Sequence, residues 1–331
     1  MILNNFFSEV KNLIDDKVIL ITGGTGTFGH ELTRILLTNF KAKKIIIFSR
    51  DEFKQYNMKL IYPENKHPSL RYFIGDIRDY ERLLFACKNV DIIFHAAAMK
   101  QVDTVEYNPF EAIKTNINGT ENVIKAAILN NVKKVIGIST DKCVTPINLY
   151  GATKLCVEKL LIHANSMSGE NGPIFSVLRY GNVFNSRGSV VPVFLKQKET
   201  GKFTITDINM TRFTLSINQA INFVLNCASI MKGKEVFVPK LPSYSIVQLA
   251  KCIDPTCKLE IIGKRPGEKI HESMISSAES HRSLIYDDYF VIMPDGQSII
   301  NGKTLGENCE YSSGNNYLID DELLKSLLSS V

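Results

Sequence analysis

Tyr150 and Lys154 stand four residues apart, so on a helix they share one face, one turn from each other. An ammonium placed beneath the phenol stabilises the phenolate and lowers a pKa that is ordinarily about 10 toward working pH. A tyrosine tuned in this way takes a proton from a hydroxyl while a hydride leaves the same carbon. Ten residues before Tyr150 comes Thr140, and Ser139-Thr140-Asp141-Lys142 closes an apolar run with a carboxylate and an amine side by side. Such neighbours at a strand end can act as acid and base.

A hydride needs an acceptor, and Gly23-Gly24-Thr25-Gly26-Thr27-Phe28-Gly29 has the composition to hold one. Glycines there permit a tight turn and bring backbone N–H groups close to a pyrophosphate at a helix N-terminus. The spacing Gly23-x-x-Gly26-x-x-Gly29 differs from the commoner G-x-G-x-x-G, and its position between a strand and a helix gives it meaning. The next strand ends in Ser49-Arg50-Asp51-Glu52, followed by Lys54, where the adenosine ribose of a dinucleotide falls. A guanidinium at Arg50 suits the 2′-phosphate of NADP, whereas Asp51 keeps NAD open. Asp76 and Ile77 end the third strand beside the adenine edge. Ala96, Ala97 and Ala98 after His95 are small enough for a cofactor to lie against the backbone.

These residues require a frame. From residue 17 the chain alternates β-branched runs with amphipathic stretches, the pattern of a parallel sheet covered by helices on both faces. The runs 18–22, 44–49, 71–76, 91–98, 134–140 and 175–181 predict six strands of a doubly wound α/β Rossmann sheet. Residues 27–39, 79–88, 113–130 and 149–166 predict helices, with Asn118-Gly119-Thr120 as a local weak point. Beyond Gly181 the alternation fades. The reading is a cofactor-binding domain over 1–180 and a smaller substrate domain over 181–331, with segments that can interleave. The length of 331 residues agrees with about two domains.

Composition narrows the partners. The chain is 44% hydrophobic and 22% charged, with 39 Lys plus Arg against 34 Asp plus Glu, a formal charge of +5. The excess is spread along the chain, so neither nucleic acid nor an anionic membrane is indicated. No apolar run approaches the roughly 20 residues of a membrane span. The N-terminal residues lack the continuous apolar stretch of a signal peptide. Seven scattered cysteines without a C-x-x-C pair predict reduced thiols in the cytoplasm. Cys252 and Cys257 read as packing residues. His95 and His271 read as structural, since neither has a partner acid or metal set, and no metal is expected.

The segments GGTGTFG, SRDEFKQ, IGDIRD, HAAAMKQV, EYNPFEAIKTNINGTENV, STDK, PINLYGATKL, RYGNVFNSRGSVVP, MTRFTLS, FVPKLPS and GKRPGEKIHESMI together resemble one branch of the extended short-chain dehydrogenase/reductases. That branch is the configuration-inverting UDP-N-acetylglucosamine 4,6-dehydratases, which begin pseudaminic acid synthesis. The likeness runs from about residue 16 to 280. It implies NADP as cofactor, UDP-N-acetylglucosamine as substrate and a homo-oligomer. It also implies that Tyr150 takes the O4 proton, Lys142 removes the C5 proton and Asp141 protonates the departing C6 hydroxyl, beside Thr140 and Lys154. For Lys142 to act as a base its pKa must fall from about 10.4, which burial and Lys154 are expected to achieve. Lys100, Asn182, Arg187, Arg212, Arg265 and Glu268 match sugar-nucleotide-binding segments, and Val183 and Lys100 the cofactor side. The arginines suit a diphosphate because their planar fork holds phosphate oxygens in pairs. A related branch replaces the tyrosine with methionine, and Tyr150 argues against it. Two other readings share the fold: a nucleotide-sugar 4-epimerase, which needs no acid–base pair at Asp141 and Lys142, and a non-catalytic NADP-binding regulator.

Overall fold

The computed structural model describes residues 7–185, 189–294 and 302–329. Strands β1 (Val18–Thr22), β2 (Lys44–Ser49), β3 (Leu70–Ile74), β4 (Ile92–His95), β5 (Lys134–Ile138) and β6 (Ile174–Leu178) lie parallel in the order 3-2-1-4-5-6. This is the doubly wound arrangement expected from the sequence. In β1 every residue is buried, because helices cover both faces of the centre. Alternate side chains serve opposite layers. Leu20, Ile46, Phe48, Ile93 and Val135 pack on one face, and Ile19, Ile21, Ile45, Ile47 and Phe94 on the other.

The chain returns to this sheet after residue 181. Val236–Pro239 pairs parallel to β6, and Tyr289–Ile292 and Ser283–Ile285 follow antiparallel, giving nine strands. Helix Ile217–Ile230 packs in the same core layer as β1 and helix Thr27–Asn39. The remaining segments build a second lobe around Phe184, Phe194, Phe203, Met210, Tyr244 and Leu249. The two halves of the sequence therefore interleave in space.

Helix Thr27–Asn39 has the expected bounds. The helix expected from 113 to 130 begins earlier, at Pro109, and runs to Leu129 with a π-helical stretch over Ile113–Asn118. Such a bulge re-aims side chains by inserting a residue into the helical ladder. Here it turns Asn116 inward, and its amide clamps Met99 through both backbone groups, at 2.8 and 2.9 Å, and reaches Thr153 Oγ1 at 2.9 Å. The segment after β4 is thereby fixed to helix Leu149–Met167, which carries Tyr150 and Lys154. Helices Phe7–Ile14 and Glu52–Ile61 add to the elements expected from the sequence.

Among the described residues no helix is long and apolar enough to cross a membrane.

Candidate active site

The strand ends of the sheet and the second lobe enclose a cleft of about 1210 Å³. It is larger than the roughly 300–1,000 Å³ of a usual single-ligand pocket, so it has room for two ligands side by side. Gly23, Thr25, Gly26, Thr27, Phe28, Ser49, Arg50, Asp51, Lys54, Asp76, Ile77, Ala96, Ala97, Ala98, Lys100 and Val183 line it on the sheet side. Gly29 and Glu52 are not on the wall; Glu52 lies in the exposed first turn of its helix.

The glycine turn is built for an anion. Gly23 has φ +67°, and a Cβ there would lie 2.9 Å from the Ala97 backbone, so a side chain is excluded on both counts. Helix Thr27–Asn39 starts at Gly26 without a side-chain cap, leaving its first-turn N–H groups directed at the cleft. A dinucleotide pyrophosphate fits this cradle. Arg50 stands at the tip of β2, largely exposed, 3.7 Å from Asp76. Asp51 is engaged otherwise: its carboxylate caps helix Glu52–Ile61 through the Lys54 N–H at 3.0 Å and pairs with the Lys54 ammonium at 3.2 Å.

At the catalytic end, a one-turn helix over Asp141–Cys143 follows β5, and Gly151 sits against it so tightly that a Cβ would lie 2.1 Å from the Lys142 carbonyl. This contact sets Lys142 near Tyr150, and Thr140, Lys142, Tyr150 and Lys154 all line the cleft. The Lys154 ammonium donates to the Ile138 carbonyl at 2.5 Å, and burial pushes its pKa down to about 8. Burial pushes the Tyr150 phenol up to about 12, opposed chiefly by the charge of Lys142 and by a contact with the Thr140 hydroxyl. The charge facing the phenol is thus that of Lys142, where the sequence pointed to Lys154.

Lys142 corrects a second expectation. Burial alone would lower its pKa, but the carboxylates of Asp141 and Glu272 outweigh burial and the net shift is upward. Its Nζ lies 3.0 Å from Asp141 Oδ1, 3.1 Å from Asn182 Oδ1 and 3.5 Å from Glu272 Oε1. Asp141 itself is wholly buried and off the cleft wall; its Oδ1 also accepts the Thr140 hydroxyl at 2.9 Å, and its Oδ2 has no partner. Glu272, which sequence reasoning missed, is 3% exposed, lines the cleft and leaves Oε2 without a partner.

Of the substrate-side residues, Lys100, Asn182, Arg212, Arg265 and Glu268 reach the cleft, and Arg187 lies outside the described residues. Arg212 is buried and donates to the carbonyls of Thr211, Ile270 and Lys269 at 2.7, 2.9 and 3.0 Å, with Glu268 at 3.6 Å. It tethers the 268–270 segment in this arrangement. His95 is structural: it bonds Thr22 and Thr120, and burial with nearby Lys154 drops its pKa to about 3.

The doubly wound sheet, the glycine turn and the Tyr150–Lys154 helix are those of an extended short-chain dehydrogenase/reductase. The chain belongs to the polysaccharide biosynthesis protein family, whose match covers residues 19–294. It is 49% identical, over 92% of its length and 94% of the relative's, to the UDP-N-acetylglucosamine 4,6-dehydratase (inverting) of Campylobacter jejuni subsp. jejuni serotype O:23/36 (strain 81-176). It is 41% identical, over 95% of both chains, to a UDP-glucose 4-epimerase of Rickettsia canadensis. The solved structure of Pen from Bacillus thuringiensis superposes with a TM-score of 0.87 at 40% identity, covering 96% of this chain and 99% of that one.

Proposed function

We propose that the chain is a hydro-lyase that removes water across C5 and C6 of UDP-N-acetylglucosamine with inversion at C5, giving UDP-2-acetamido-2,6-dideoxy-L-arabino-4-hexulose. The observation that carries this reading is the placement of Lys142, set between two carboxylates, on the same cleft wall as Tyr150 and the glycine turn. A 4-epimerase needs the tyrosine and the cofactor alone.

Gly23–Phe28, Ala96–Ala98 and Lys154 would hold a nicotinamide dinucleotide, which when bound would supply the reversible hydride acceptor that the C4 oxidation and the C6 reduction require. Tyr150 takes the O4 proton as a phenolate, the form that the Lys142 charge and the Thr140 hydroxyl favour against burial. Lys142 removes the C5 proton, now acidic beside the C4 ketone. Asp141, behind the wall, takes that proton on from Lys142 and delivers it through Thr140, whose hydroxyl touches both Asp141 and the cleft, to the departing C6 hydroxyl; C5 is afterwards reprotonated on its opposite face. NADP is the preferred form, because Arg50 faces the ribose end while Asp51 is spent on capping its helix. Asn182, Arg265 and Glu268 hold the sugar nucleotide. The chain's resemblance to the inverting dehydratases is the ground for reading it as a homo-oligomer. The enzyme works in the cytoplasm and provides the 4-keto sugar that opens pseudaminic acid synthesis.

Incubation with UDP-N-acetylglucosamine tests the reading by NMR. A new C6 methyl signal and a 4-keto carbon are expected. A C4 epimer with its C6 hydroxyl intact, as the Rickettsia relative's name suggests, would overturn it.

A further inference from the structure

An ammonium has three N–H donors, and three oxygens surround that of Lys142, each from a different part of the chain. Asp141 comes from the end of β5, Asn182 from the crossing into the second lobe, and Glu272 from a segment 130 residues beyond Lys142. Glu272 is pinned before it reaches Lys142. Its N–H donates to Ser313 Oγ at 3.0 Å and its carbonyl accepts the Ser313 N–H at 2.8 Å. Two residues on, the Met274 carbonyl accepts from the buried Arg179, which also binds Glu158 and Glu279. Glu272 thus stands on a fixed backbone, and its carboxylate, 3% exposed with Oε2 unsatisfied, is expensive to bury, a cost that calls for a function.

We propose that Glu272 is a positioning residue of the acid–base set: it holds the Lys142 amine on the cleft wall and makes it a stronger base toward the C5 proton. When Lys142 gives up a proton, two donors remain for Asp141 and Asn182, and the longest contact, to Glu272, is released. The lone pair then faces the side of the cleft that Glu272 lines. Once deprotonated, the amine so placed is the stronger base toward the C5 proton, and the same carboxylates leave fewer amines in that form at neutral pH, so the effect is read on the alkaline plateau. The charges facing Lys142 are Asp141, Glu272 and Arg212, with the phenols of Tyr150 and Tyr244 close by. Glu272 alone among them joins a free carboxylate oxygen to the cleft wall.

The inference rests on the proposed C5 chemistry for its rate effect, and its titration effect stands without it. In the full-length Glu272→Gln protein, the Lys142 side-chain resonance, assigned by its loss in Lys142→Ala, should titrate about 1–3 pH units lower than in wild type. The alkaline limb of C5 deuterium uptake should move down by the same amount, and its plateau should fall on the order of tenfold. Glu272→Asp should restore part of both. An unmoved titration midpoint, or a uniform slowing with the limb in place, overturns the proposal. Absence of C5 exchange in the wild-type protein overturns instead the dehydratase reading, while the titration still decides the role of Glu272.

Discussion

Lys142 and Lys154 enter the cleft twelve residues apart in sequence, one from the turn after β5 and the other from the helix that packs on that turn. Lys154 is buried and Lys142 partly so, with 21% of its side chain exposed, and burial works to lower both. Lys154 meets only a backbone carbonyl, and its pKa falls to about 8. Lys142 meets two carboxylates, and its pKa rises. Their neighbours set the two apart: in the proposed reaction Lys142 is the strong base and Lys154 a buried cation beside the cofactor.

Three substitutions probe that division. The largest effect is expected from Lys142→Ala, where formation of the C6 methyl should fall by about 10²–10⁴-fold, the usual worth of a placed acid–base group. Dehydration at the wild-type rate would remove Lys142 from the chemistry.

Lys154→Met separates stability from activity. A folded-state pKa of about 8 against an ordinary 10.5 means that the native state binds fewer protons between these values. Wild-type stability should therefore rise as pH climbs from about 8 to about 10.5, and below 8 the buried charge carries its full cost. Denaturant melts at pH 7 should show Lys154→Met more stable by about 1–3 kcal/mol, the gap closing toward pH 10.5, while turnover is lost. A variant that is less stable at pH 7 would show that the bond to the Ile138 carbonyl outweighs desolvation.

The smallest effect belongs to the far end of the cleft. Arg50→Ala should cut the preference for NADP over NAD by about tenfold, the loss of one charge-assisted hydrogen bond. Unchanged relative affinities would return the ribose contact to Asp51.

The sheet was legible because its central strands are unbroken apolar runs: the bounds of β1, β2 and helix Thr27–Asn39 coincide with those expected from VILIT, KIIIFS and the glycine loop. Helix Glu52–Ile61 left no such trace. Only Gln55 and Met58 of it are buried, while Phe53, Tyr56, Leu60 and Ile61 face outward, so no apolar stripe marks its inner face. Within the site, residues on one helix or beside one strand end were readable from local spacing. Glu272 was not, since its meeting with Lys142 depends on how the second lobe folds back and no short spacing encodes it. The direction of the Lys142 shift was missed for the same reason. Asn116 escaped because a π-helical turn, invisible to a 3.6-residue period, aims it inward.

In the proposed reaction hydride and proton follow separate paths through one cleft, the hydride from C4 to C6 and the proton at C5 by way of Lys142. Converting UDP-N-acetylglucosamine in deuterated water and reading the product by NMR tests it most directly. Deuterium at C5 and a C6 methyl bearing three protons are expected. Deuterium in the methyl group, or a C5 that keeps its original proton, would contradict it.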